Sequence, residues 1–130
     1  MYKVVIDTNV FISSRLSQLG NPAMVMKLIV EEDMEVYYNL AILNEYKKVL
    51  AYERLKFSIE HQLSAITDMI KIGILIEPSK SEIFMPDESD RIFYDTAKAV
   101  NAYLVTGNQK HYPNESQIIT PARFVEIFGK

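Results

Sequence analysis

Apolar positions along this chain switch between a continuous, strand-like spacing and a helical one. Residues 2 to 6 form a β-branched run with no polar alternation after Lys3, the pattern of a strand covered on both faces of a parallel sheet. Its carboxyl end is Asp7. Asn21 before Pro22 has the form of a helix cap, and Met24, Val25, Leu28 and Ile29 then recur at helical spacing up to Glu31-Glu32-Asp33. A second strand is predicted over Glu35 to Tyr38, ending at Asn39, which can cap a helix with Ile42, Tyr46, Val49 and Leu50 on one stripe. Ser58 is the expected cap of a long amphipathic helix in which Ile59, Leu63, Ile66 and Ile70 form the stripe. Gly73 ends it, and Ile74 to Ile76 reads as a third strand before Pro78.

Residues 78 to 86 are the most loop-like stretch. Asp87, three residues before Asp90, marks a helix start, with Phe93, Ala97 and Val100 as the apolar stripe. Tyr103 to Thr106 is a fourth strand broken by Gly107-Asn108, Ile118-Ile119 a fifth, and Pro121 opens a last helix with Phe124, Val125 and Phe128. Strands separated by helices predict an α/β fold: a three-layer α/β/α sandwich with a mainly parallel sheet of four to five strands.

Composition narrows the function. At 130 residues, 48% hydrophobic and 24% charged, the chain is expected to be one globular domain over 1–130 rather than a disordered segment. No apolar run reaches membrane-spanning length, and the opening run is too short for a secretory leader. With no Cys there is no disulfide, thiolate metal site or cysteine nucleophile, and a cytoplasmic location is expected. A net charge of -3 lacks the basic footprint of non-specific nucleic-acid binding, so a chain of this kind that handles nucleic acid needs a metal to supply positive charge.

In open parallel sheets ligands bind beyond the carboxyl ends of the strands. The polar residues expected there are Asp7, Asn39, Thr106 and Asn108. Asp7 ends an apolar run, where a carboxylate needs a cationic partner or a helix beginning at Thr8 to cap. Asp90 shares its helical face with Phe93 and Ala97 and points to the core side; it is either a ligand or a first-turn acid complementing the helix dipole. Asp95, about 140° round the helix, is expected to be solvated and paired with Arg91. Glu45 lies at the edge of its helix's buried stripe, as either a site acid or a surface glutamate. His111 follows the fourth strand, whereas His61 is expected to be solvated. Carboxylates converging on one sheet edge make a hard-oxygen site suited to Mg²⁺ or Mn²⁺.

With these pieces in order, Asp7-Thr8-Asn9-Val10, Leu43-Asn44-Glu45-Tyr46, Ser89-Asp90-Arg91-Ile92-Phe93-Tyr94 and Tyr103 to Asn108, the chain resembles the PIN-domain family of metal-dependent ribonucleases. The likeness is greatest to the VapC-like toxins of bacterial toxin-antitoxin systems. It implies an endoribonuclease in which Asp7, Glu45 and Asp90 are acidic metal-site residues, with Asn9, Thr106 and Asn108 in support. It also implies an RNA substrate, an antitoxin whose segment blocks the acidic site, and a homodimer. The family often has an aspartate where this chain has His111, and fewer carboxylates favour one Mg²⁺ or Mn²⁺ over two. Tyr2, Met24, Met26, Tyr37, Tyr38 and Tyr46 are candidates for apolar contact surface, with core packing their commoner fate. Lys47, Lys48, Arg54 and Lys56 form a basic group that either follows an RNA backbone or is simply solvated.

Two other functions compete. A catalytically impaired PIN fold that binds RNA or protein is motivated by His111 and the pI near 5.4. A phosphotransferase of the haloacid-dehalogenase type is motivated by the strand ending in Asp7, but Asn9 stands where that chemistry needs a second aspartate.

Overall fold

The structure is a computed structural model and describes residues 1–129. In chain order the elements are β1 (Lys3–Ile6), α1 (Thr8–Leu16), α2 (Asn21–Glu31), β2 (Glu35–Tyr38), α3 (Leu40–Leu50), α4 (Ile59–Ile72), β3 (Gly73–Leu75), α5 (Arg91–Val100), β4 (Tyr103–Val105), β5 (Ile118–Ile119) and α6 (Pro121–Phe128). Single 3-10 turns lie at Glu53–Leu55, Glu88–Asp90 and Gln109–His111.

All strand pairings are parallel, in the order β3-β2-β1-β4-β5. Val4, Val5 and Ile6 are fully buried, so β1 is covered on both faces, as its unbroken apolar run predicts. The sheet grows outward from β1 in both directions, to β2 and β3 on one side and to β4 and β5 on the other. The order therefore reverses between β1 and β4, and crevices open at such reversals beyond the strands' carboxyl ends. The core joins these strands to the buried faces of the helices through Phe11, Ile42, Tyr46, Phe93 and Phe124.

Local chemistry fixes the ends of the elements. Asn39 Oδ1 accepts from Ile42 N at 3.0 Å, Ser58 Oγ from His61 N at 3.0 Å and Thr120 Oγ1 from Arg123 N at 3.1 Å, each relieving a first-turn N–H that the helix cannot pair. Asn101 closes α5 in the left-handed region (φ 57°), and Ala102 N donates back to Ala97 O at 2.8 Å, turning the chain straight into β4. At the α4–β3 junction a Cβ on Gly73 would lie 2.6 Å from the Tyr38 ring and 2.7 Å from Met69 O, so only glycine fits.

The structure corrects three sequence expectations and decides a fourth that was left open. The cap of α2 is Gly20, one residue earlier than Asn21, which with Pro22 opens the helix. The buried side of α4 is Ala65, Ile66 and Met69, while Ile59, Leu63 and Ile70 are exposed. The small Ala65 is fully buried there, so the helix is rotated relative to the stripe of large residues. Of the apolar contact candidates, Tyr37, Tyr38 and Tyr46 take the commoner fate and belong to the core, Met26 packs against it, and only Tyr2 and Met24 stay exposed. Asp95 is buried rather than solvated, because the segment around Ser81 covers that side of α5 and Asp95 Oδ2 accepts from Ser81 N at 3.1 Å. A helical wheel assumes solvent opposite the core, and here a loop takes its place.

Candidate metal centre

Asp7 is held where β1 and β4 end side by side, its N–H donating to Val105 O at 3.0 Å. The helix expected as an alternative to a ligand role is present: Asp7 Oδ1 caps α1 by accepting from Asn9 N at 3.3 Å. Its other oxygen faces inward. Oδ2 accepts from Thr106 Oγ1 at 2.7 Å and from Tyr112 Oη at 3.0 Å, and the Thr106 hydroxyl oxygen accepts in turn from Asn108 N at 3.0 Å. Capping and site-building thus use different oxygens of one carboxylate. Just before it, Tyr46 Oη donates to the Ile6 carbonyl at 2.5 Å, tying α3 to the end of β1. Burial pushes the Tyr46 phenol far above its usual proton affinity, and the Asp7 carboxylate adds to the effect. Tyr112 is raised strongly by burial, then by Asp7 and Asp90. Both phenols therefore stay protonated and can only donate toward their acceptors.

A second group approaches from the start of α5 and the turn after β4. Asp87 Oδ1 accepts from Ser89 N at 3.0 Å and Ser89 Oγ at 2.7 Å, forming the turn that ends in Asp90. The Asp90 carboxyl is pushed up to about 6, first by burial and then by the carboxylates of Asp7 and Asp87, with His111 opposing. His111 Nδ1 lies 3.0 Å from Asp90 Oδ2, and its Nε2 lies 3.0 Å from Asn108 Nδ2. An amide nitrogen only donates, so Nε2 accepts, and Nδ1 carries the proton shared with Asp90. One ligand atom from each of Asp87, Asp90 and His111 lies within 4.8 Å of the others, and Asp7 acts on this group through its charge on Asp90.

This donor set fits a hard divalent cation. Burial, and after it the charges of Asp7 and Asp87, disfavour the ionised form of Asp90, and a cation would offset both. Asp7, Asp90, Thr106, Asn108 and His111 are brought together, while Asn9 contributes its backbone N–H and keeps an exposed side chain. Glu45 lies half-buried on α3 with its carboxylate 3.6 Å from Lys48 Nζ, and is not one of the clustered group. Lys47, Arg54 and Lys56 are exposed, the Arg54 guanidinium resting 5.1 Å over the Tyr52 ring. Sequence reasoning treated Asp87 only as a cap and missed Tyr112 and the Tyr46 hydroxyl as site residues. The available signals were the Asp-x-x-Asp spacing of Asp87 and Asp90, and a tyrosine directly after His111.

Residues 3–110 match the family model described as PIN domain. The chain belongs to the PIN-domain family. Members of this family are typically nucleases, and the parallel α/β architecture is that of a PIN domain. An uncharacterized protein of Methanocaldococcus jannaschii is 29% identical over 98% of this chain and 92% of its own length. The fold is also similar to the crystal structure of VapBC2 from Rickettsia felis bound to a DNA fragment from their promoter. That match has a TM-score of 0.62 at 17% identity and covers 91% of this chain and 96% of the other. Among the described residues, no helix is long and apolar enough to cross a membrane.

Proposed function

We propose that this PIN domain is a metal-dependent endoribonuclease and the toxin of a toxin-antitoxin pair. The observation that carries the reading is the meeting of Asp87, Asp90 and His111, with Asp7 at the end of β1 acting on Asp90 through its charge, and with Asp90 raised to about 6 by burial first and by its carboxylate neighbours second. One Mg²⁺ or Mn²⁺ would be held by Asp7 and Asp90, with Asp87 and His111 at hand. The chemistry such an ion supplies is charge neutralisation at the phosphodiester and a lowered pKa for bound water. The remaining work is positional. Thr106 and Tyr112 hold Asp7 Oδ2, and Asn108 orients His111 through Nε2. Glu45 is assigned either to the metal or to orienting the attacking water. Asn9 supports the Asp7 end of the site.

An antitoxin partner is supported by the VapBC2 likeness, and a homodimer in the cytoplasm completes the proposal. The competing non-catalytic reading rests on His111, which stands where the family often has an aspartate. The deciding experiment is cleavage of a mixed single-stranded RNA with Mn²⁺ or Mg²⁺, compared with EDTA and with Asp7→Asn. Cutting by wild type alone supports the nuclease; folded, metal-loaded protein that leaves varied RNAs intact favours the binding domain.

Tyr112→Phe tests the support around Asp7. The ring stays buried, so the fold is expected to persist, but Oδ2 loses one of its two donors. Affinity for Mn²⁺ should fall by about tenfold, the usual scale for an outer partner of a metal ligand. Titration calorimetry would read it, and unchanged affinity would remove Tyr112 from the centre.

A further inference from the structure

Arg91, the first residue of α5, lies one position past Asp90, and its side chain is only 12% exposed. It bonds on every edge. Nε and Nη2 grip the two oxygens of Glu88 at 2.5 and 3.0 Å. Nη1 donates to the Ser81 carbonyl at 2.9 Å and the Ser81 hydroxyl at 2.8 Å, and Nη2 reaches the Ile83 carbonyl at 2.7 Å. One turn along the same helix face, Asp95 Oδ2 takes the Ser81 N–H at 3.1 Å. Its other oxygen is buried without a partner among the described residues. Arg91 and Asp95 thus hold the N–H, the carbonyl and the hydroxyl of Ser81.

What they hold leads directly to the metal centre. Residues 76–87 have no regular secondary structure; Met85 is buried in the core and Ile76, at the start of the stretch, packs against it. The stretch delivers Asp87, and Glu88 sits in the turn between Asp87 and Asp90. Carboxylates that repel one another must be held together by something other than mutual attraction. A cation bonded to Asp87 or Asp90 itself would occupy their ligand oxygens. Arg91 avoids this by gripping the neighbouring Glu88 and the backbone of 81–83. An exposed i,i+3 ion pair by itself adds little stability, whereas a guanidinium that also reaches two backbone carbonyls fixes geometry.

We infer that Arg91 is a positioning residue for the metal centre: its fork onto Glu88 and residues 81–83 places Asp87 and Asp90 before a cation arrives. The inference rests on the metal-centre reading proposed above. Mn²⁺ binding followed by EPR, hydrogen exchange of residues 81–90 in EDTA, and thermal melting would be compared for wild type, Arg91→Met, Arg91→Lys and Glu88→Gln. Arg91→Met should weaken Mn²⁺ binding by about 10- to 100-fold and speed exchange over 81–90 while β1 and β4 stay protected. Lysine restores the charge but not the fork, so Arg91→Lys should remain weak. Glu88→Gln alters a mostly exposed side chain and keeps the test available if Arg91→Met does not fold; it should weaken binding to a smaller degree. Mn²⁺ affinity within twofold of wild type in Arg91→Met, or in Glu88→Gln where Arg91→Met is unfolded, overturns the inference. Full recovery in Arg91→Lys does so too, since charge alone would then suffice. A wild type that binds no Mn²⁺ while Arg91→Met still loosens 81–90 would bring down the metal reading and leave the clamp standing.

Discussion

Asp90→Asn is expected to cut RNA cleavage in Mn²⁺ by more than about 100-fold and, in EDTA, to give a protein more stable than wild type at pH 7. The two effects share one cause. In the folded protein the Asp90 carboxyl holds its proton up to about pH 6, against an ordinary value of 3.8. Between those values the folded state binds more protons than the unfolded chain, so stability falls as pH rises through the window. The loss is complete above about pH 6, where Asp90 is ionised beside Asp7 and Asp87. Asparagine removes the partly buried charge and its repulsion and still offers an oxygen to His111 Nδ1. Urea midpoints in EDTA should therefore fall from pH 4 to pH 7 more steeply for wild type than for Asp90→Asn, and Mn²⁺ should restore wild type alone. A less stable Asp90→Asn at pH 7 would mean that Asp90 serves mainly as a structural partner of His111.

Tyr46→Ala is expected to destabilise the fold by about 3–5 kcal/mol, lowering the melting temperature by roughly 10–20 °C. Tyr46 is fully buried, stacked on Phe11 with ring centroids 4.3 Å apart and tilted against Phe93 at 6.3 Å. Removing the ring opens a cavity between α1, α3 and α5. Tyr46→Phe keeps the ring and separates the hydroxyl from the packing. It should cost about 1–2 kcal/mol, the scale of a lost buried hydrogen bond, because the Ile6 carbonyl loses that donor. Because that carbonyl immediately precedes Asp7, the phenylalanine variant should also weaken Mn²⁺ binding. Thermal melts and Mn²⁺ titration separate the two effects, and a melt of Tyr46→Ala within 3 °C of wild type would contradict this role.

Much of the architecture was legible because it rests on neighbours in sequence. The unbroken run of Val4, Val5 and Ile6 needs burial on both faces, and the structure puts it in the centre of the sheet. Asn39 and Ser58 cap their helices through bonds spanning three residues, and a spacing of three is visible in any sequence. Asp7 ending an apolar strand was legible for the same reason. The errors came where a distant segment intervened. Asp95 has a solvated position on a helical wheel, yet Ser81, fourteen residues earlier, covers it. The Ile59-Leu63-Ile66-Ile70 stripe of α4 predicts one buried side, whereas packing selects the side with Ala65, Ile66 and Met69.

The chain by itself therefore determined the alternation of strands and helices, the caps of α3 and α4 and the presence of acids at strand and helix ends, all consequences of patterns spanning two to four residues. Only the tertiary structure decided which acids meet. Thr106 and Tyr112 reach Asp7 across 99 and 105 residues, separations with no local pattern to betray them. The order of the parallel strands makes them neighbours by placing β4 against β1. Whether Asp87 is merely a cap or stands within ligand distance of Asp90 and His111 was settled the same way, by the turn after β4 folding back onto the start of α5.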